Sequence, residues 1–412
     1  MNIHKQTIRF NLIINGLLLV AVIGSSWALA HERPHEWTSL DGGVSADSGL
    51  RFSLAADLGL SPVLGFEKGG VSVVRWHENK WKSLGTPIMG ASGPSIGLDA
   101  QKHIYLCDSG KYASTGAPNV FRWEDKTWRS IGGDIAVEAG YNIGAGRHIV
   151  DACGDIALDS SSNPIVTWEA KVGVKSWAVF AARWDKHHKI WKGLGEGAVA
   201  VARSVSTHLD IDDNDRPYLL TTSTSDGGRS RVTTTQVWRW NDHIWTQLGA
   251  DMLNAEGTAL GIYKNTPYLA QHYVSRDATT GAIYADELRV MRWREGSWQR
   301  LSSPVMSFSS PVEFTPALDF TPSGKPVVAY LESLGDGQTF NIMVKHWTSK
   351  IWQSAGDNVA SLSCYAPASC PPLVTLDLSM DMQGHPVVAW GEYDYSAPNN
   401  LLNVKRYSSS LP

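Results

Sequence analysis

Acidic and aromatic residues recur at one place in this chain, the end of a short β-like run that opens, in its clearest copies, with proline. The runs PIVTWE, PVVAYLE and PVVAWGE end on Glu169, Glu332 and Glu392, with Trp168, Tyr330 and Trp390 just ahead of them. Related runs reach Glu67 and Asp108; another carries His272 at this place, and the remaining one Thr222. Carboxylates beside aromatic faces suit polyhydroxylated ligands, amines or a cation. The oxygens accept from hydroxyl or ammonium donors, and the rings take C–H faces or positive charge. Arg147, Arg203, Arg229 and Arg276 fall in the neighbouring loop segments and would counter the acid charge. Pairs of carboxylates can also drive glycoside hydrolysis, where their separation decides the stereochemical outcome. The same acids would serve equally well as a solvated rim that keeps strand ends soluble.

Other chemistry is poorly represented. The chain has neither a GxSxG nucleophile elbow nor an HExxH zinc motif. Asp210-Ile211-Asp212-Asp213-Asn214-Asp215 alternates acids like the start of a calcium loop, but the required glycine and terminal glutamate are missing. It falls where sister copies place an ordinary turn, so no cofactor is expected beyond the residual option of a structural calcium. His187-His188 sits in another short turn without a third ligand nearby. The four cysteines lack zinc-knuckle spacing. Cys364 and Cys370 bracket a short loop and are expected to pair; Cys107 with Cys153, joining neighbouring repeats, is the weaker expectation.

The elements that must position these residues are written in a repeat. A strand-like run ends in an aromatic at Trp76, Trp123, Trp184, Trp240, Trp293, Trp347 and Tyr407, every 47 to 61 residues. A second tryptophan follows in the first six copies, at Trp81, Trp128, Trp191, Trp245, Trp298 and Trp352, as in VVRWHENKWKSLG and QVWRWNDHIWTQLG. Each copy reads as four short antiparallel strands separated by glycine, proline and aspartate turns. That unit at that period is the signature of a β-propeller blade. The seventh copy, NVKRYSSSLP, lacks its fourth strand, and WTSL at Trp37 supplies the missing piece. The expected fold is all-β: a seven-bladed propeller of four-stranded blades, closed by the N-terminal strand completing the last blade.

Two further residues repeat. An arginine precedes most of the terminal aromatics (Arg75, Arg122, Arg183, Arg239, Arg292, Arg406), and Lys345-His346 replaces it in one copy. A carboxylate marks the first strand at Asp57, Asp99, Asp159, Asp210, Asp319 and Asp377. Features present in nearly every copy read as fold maintenance, and most of the tryptophans read as core between blades. Ligand chemistry is then expected on the face carrying the long second-to-third loops and the links between blades.

The bulk properties agree. Of 412 residues only 18% are charged, 18 are tryptophan, and the net charge is −4. No basic field exists to attract nucleic acid. Residues 1–30 carry Lys5 and Arg9, then an uncharged apolar stretch ending Ala28-Leu29-Ala30. They are expected to be a cleaved signal peptide, leaving residues 31–412 as one exported propeller domain, periplasmic or secreted, without stable membrane insertion.

The blade pattern PxLALDxxGxPxVAWxE…NVxVxRW…xWxxLG resembles exported bacterial β-propeller proteins. More distantly it resembles lectin propellers, such as horseshoe-crab tachylectin and the fungal fucose lectins, and sialidase-like propellers. The resemblance covers the chain after residue 30 and rests on blade consensus residues, which specify fold. The lectin likeness implies sugar held between blades by an Arg, a Glu and a Trp. The sialidase likeness lacks the Asp-box at the third-to-fourth turn; Ser45–Phe52 matches loosely, but in the wrong place. Three readings stay open: a non-catalytic propeller binding a glycan or an envelope or secreted protein, an exported glycoside hydrolase or lyase, and a structural scaffold of the cell envelope.

Overall fold

The computed structural model describes residues 36–40, 44–46, 51–56, 61–109, 118–141, 150–173, 176–202, 205–227, 230–277, 280, 282–308, 314–336, 338–363, 375–392 and 400–412. Residues 34–412 form one compact unit. The expected signal segment and the Cys364–Cys370 pair lie outside the described residues, as do Asp57, Arg147, Arg203 and Arg229.

Seven antiparallel sheets follow the sequence repeat. Blade 1 runs through Phe52–Ala55, Val63–Glu67, Val71–His77 and Lys80–Ser83, and blade 2 through Ser95–Leu98, Ile104–Asp108, Asn119–Glu124 and Thr127–Ser130. Blades 3 to 6 keep the order and begin at Val150, Val205, Ala255 and Ala317. Blade 7 takes Thr375–Met380, Pro386–Glu392 and Asn400–Tyr407 from the C-terminus, and its outer strand, Trp37–Ser39, from the N-terminus. The closing register is Trp37 opposite Tyr407 and Ser39 opposite Lys405. The first strands contact one another in a closed ring that ends where it began. The sequence did not announce a fifth segment in blades 3 to 6. There a short piece after the fourth strand returns to pair with the third, as Ala200–Ala202 does with Trp177–Val179. Val44–Ala46 does the same in blade 7.

The repeated WxxLG string proves to be a joint between blades. The two tryptophans of each copy pair across the third and fourth strands with ring centroids 5.2 to 5.5 Å apart. Five fourth-strand indoles donate from Nε1 to a backbone carbonyl of the preceding blade: Trp128 to Leu84, Trp191 to Ile131, Trp245 to Leu194, Trp298 to Leu248 and Trp37 to Ala355. The glycine after the acceptor residue turns the chain with positive φ, and at Gly85, Gly132 and Gly249 it lies against the next blade's rings. A Cβ on Gly132 would come within 2.6 Å of the Trp191 indole nitrogen.

The first-strand carboxylates, alike in sequence, divide into two structural jobs. Asp99 and Asp159 cap the first-to-second turn, accepting from backbone N–H groups two and four residues on. Asp212 and Asp381 do the same in blades 4 and 7. Asp212 also takes the Arg216 guanidinium and the Tyr218 hydroxyl, so the acid at the centre of the segment read against a calcium loop is engaged within its own turn. The second group ties blades. Asp155 accepts from Leu209 N, Asp210 from Ile262 N, Asp319 from Met380 N and Asp377 from Leu54 N, each in the following blade. Desolvation in the inner ring raises Asp210 and Asp377 to about 7 and Asp319 to about 6.

Candidate functional site

The expected rim is, for the most part, interior. Trp168, Tyr330 and Trp390 are buried, with Trp168 stacked on Phe180 at 5.7 Å and wedged against Tyr141. His272 is buried and bonded through Nε2 to Asp286 at 2.7 Å, its ring stacked on Phe314. Asp108 is buried and accepts from Asn119 Nδ2. Glu67 accepts from Gly93 N of the next blade, and Glu169 from the Thr207 hydroxyl of the next blade at 3.4 Å. Glu332 keeps partial exposure; the side chain of Glu392 lies outside the described residues. The physical reason is general for this architecture. A second strand is flanked by its own blade's strands and covered on both faces by neighbouring blades, so both side-chain sets point into protein.

The weaker cysteine expectation holds in the structure: Cys107 of blade 2 and Cys153 of blade 3 form a disulfide, and both are buried. Among the described residues no cluster of three or more His, Cys, Asp or Glu is placed to hold a metal, and no helix is long and apolar enough to cross a membrane.

A cavity opens elsewhere, on the face of the short turns, as a cleft of about 980 Å³ between blades 2 and 3. Its floor is set by register. Tyr105 lies directly across from Arg122 on adjacent strands of blade 2, and Trp184 closes the third strand of blade 3. The Arg122 guanidinium sits 5.6 Å from the Tyr105 ring and pairs with Glu124 Oε1 at 2.8 Å. Its Nε is buried and has no hydrogen-bond partner among the described residues. The Tyr105 hydroxyl donates to the Ser162 carbonyl of blade 3 at 3.2 Å, and burial pushes it up to about 12. Gln101 accepts from the Ser162 hydroxyl, and His103 is held on Asp99 at 2.7 Å. Lys186, Lys189 and Arg129 stand at the mouth. The cleft therefore offers an indole and a phenol as flat walls, a paired Arg and Glu as donor and acceptor, and a surplus of positive charge at its entrance.

Sequence reasoning treated Arg122 and Trp184 as repeat furniture and missed Tyr105, Glu124 and the cleft. A signal was present. Arg122 alone among the repeated arginines is followed two residues later by glutamate, and SSSN is the one first-to-second turn of blades 3 and 4 without an acid in its middle.

No protein-family model matches the chain, and no curated protein matches it. Solved structures do. The microbial sialidase Hz136 from a Hadza source is 12% identical over 82% of this chain and 73% of its own, with a TM-score of 0.44. The Fusarium graminearum α-L-arabinofuranosidase Arb93A is 10% identical over 76% and 92%, with a TM-score of 0.43. The Aleuria aurantia lectin is 10% identical over 88% and 97%, with a TM-score of 0.39. The seven-bladed fold rests on the chain's own sheet topology, and a likeness at this level says nothing of activity.

Proposed function

We propose that this protein is an exported, carbohydrate-recognising propeller whose binding site is the cleft between blades 2 and 3. One observation carries the reading: Trp184, Tyr105, Arg122 and Glu124 converge on a cavity large enough for a short oligosaccharide, with Arg122 and Glu124 paired in its wall. A sugar ring would lay its C–H face on the indole and exchange hydroxyl hydrogen bonds with the Arg–Glu pair. The site lies on the short-turn face, opposite to the one that loop length alone favours. Binding of the secreted protein to a glycan array is the direct test. A hit whose affinity survives both Trp184→Ala and Arg122→Ala would remove the cleft from consideration. Sequencing the N-terminus of the exported protein should find His31.

A second reading, hydrolysis of a glycan, is favoured by one feature. Asp210, Asp319 and Asp377 titrate near the range suited to a general acid. Each already accepts backbone donors within the inner ring, which fits a structural use better. Release of reducing ends from a polysaccharide panel, abolished by Asp210→Asn or Asp377→Asn in a folded variant, would establish hydrolysis instead.

A further inference from the structure

A separate cavity of about 420 Å³ lies between blades 4 and 5. Its walls are Met252 and Leu253 from the link leaving blade 4, and Tyr273, Met291 and Trp298 from blade 5. Gln271 lines it and is only 4% exposed, yet its side-chain Nε2 has no hydrogen-bond partner among the described residues. A buried amide donor left unbonded costs about 1–3 kcal/mol and calls for an occupant that accepts from it. Directly across the strand pair stands Arg289, which also lines the cavity. Its guanidinium is held flat over the Tyr273 ring at 3.4 Å and oriented by Nε bonding to Glu287 at 2.8 Å. Glu287 is shared with Arg300 at 2.9 Å, so two guanidiniums answer one carboxylate. On the far side of Gln271 in the same cross-strand row, Thr258 Oγ1 is also buried and unbonded. The acid at the mouth, Asp251, accepts from Gln236 and Gln247 at 2.8 Å, and those bonds hold its carboxyl below the usual range.

We propose that this cavity is a second ligand site and that it takes the carboxylate of an acidic sugar, a uronate. The interior supplies an unbonded buried donor, Gln271 Nε2, and the Arg289 guanidinium beside it, and an acceptor would serve both. Planar Arg289, fixed by the ring beneath it and the carboxylate beside it, presents the fork that matches a carboxylate. Met252, Met291 and Trp298 give the apolar wall against which a sugar ring lies, and the volume admits one or two residues. The site shares no residue with the cleft between blades 2 and 3 and stands or falls independently of it.

The experiment titrates the full exported chain with D-glucuronate, D-glucose and acetate by calorimetry, alongside a Gln271→Leu variant. Glucuronate should bind, with glucose and acetate each about tenfold weaker or more. Leucine fills the same space without the unbonded amide, so the variant should melt at the same temperature or higher while losing about tenfold in glucuronate affinity. Equal binding of glucuronate and glucose would overturn the carboxylate assignment. Acetate binding as well as glucuronate would overturn the sugar. No glucuronate binding, or binding unchanged in Gln271→Leu, would overturn the site. If Gln271→Leu melts lower, Arg289→Gln provides the independent check, and retained affinity there would likewise refute the proposal.

Discussion

Between blades 3 and 4, Arg183 reaches across to donate to the Asp215 carbonyl, and Ser160 donates twice to the Asp215 carboxylate, from its backbone N at 2.7 Å and its hydroxyl at 2.6 Å. Between blades 2 and 3, the matching arginine, Arg122, turns back onto Glu124 of its own blade, and among the described residues no acid of the neighbouring turn pairs with it. The residue standing where Asp215 stands is Ser162. Both are the third residue after the capping aspartate, and both take positive φ, 62° for Ser162 and 59° for Asp215. One junction is zipped shut by an acid; the other is left as a cleft. The open junction is also the one that carries the Cys107–Cys153 disulfide. A covalent bond thus reinforces a junction whose turns meet through Ser162, its hydroxyl on Gln101 and its carbonyl under the Tyr105 hydroxyl, with no acid between them. Similar blade parts thus close a junction or leave a cleft according to one side chain in a five-residue turn.

The largest disruption should come from the seam that both junctions depend on. Removing residues 31–40 deletes the outer strand of blade 7 and the Trp37 bond to Ala355, and cooperative thermal unfolding should disappear. An unchanged melting curve for the deletion would refute closure by the N-terminus. Trp191→Ala should follow, with a loss of about 3–5 kcal/mol, because the ring is fully buried and its indole spans the open junction to Ile131. Urea denaturation measures it, and a loss below about 1 kcal/mol would mean the staples are ornamental.

The covalent tie comes next. Replacing Cys107 and Cys153 together with serine should cost about 2–4 kcal/mol, by releasing a 46-residue sequence separation in the unfolded chain and leaving buried hydroxyls in the core. If the open junction is as well clasped as its neighbour, the urea midpoint will not move. The turn swap sharpens the contrast directly. Asp215→Ser should cost about 1–2 kcal/mol as Ser160 loses its acceptor. The reverse change, Ser162→Asp, should meet Arg122 and lower glycan affinity at the cleft while leaving stability within about 1 kcal/mol.

A further expected effect is one of pH. Asp210, Asp319 and Asp377 have folded-state values raised by burial above the ordinary 3.8. Over this window the native state holds more protons than the unfolded chain, so their contribution is full below about pH 4 and is lost as pH rises through about 6 to 7. Stability should therefore decline from pH 4 to pH 7, and Asp377→Asn should flatten that slope. A steeper slope in the variant would show the sign to be wrong.

Much of the fold was legible because its determinants are local and repeated. Tryptophan pairs, turn punctuation and the unpaired WTSL string specify strand order, blade number and the closing strand without reference to anything distant. The rim of acids was legible as a pattern but not as a place. Trp168, Tyr330 and Trp390 recur at one register, and register says which strand they end but not that the neighbouring blade covers them. The carboxylates show the same limit. Asp210 and Asp212 are two residues apart and look interchangeable, yet one ties blade 4 to blade 5 and the other caps its own turn.

What the amino-acid order determined by itself is the propeller: seven copies, four strands each, and a seam at Trp37. What only the tertiary structure decided is where that regular body is left open. The cleft of Arg122, Glu124, Tyr105 and Trp184, and the cavity of Gln271 and Arg289, arise from side chains far apart in sequence that meet across or beside a blade junction. Whether such a junction closes depends on hydrogen-bond partners within a few ångströms in space, a quantity that a one-dimensional pattern does not contain.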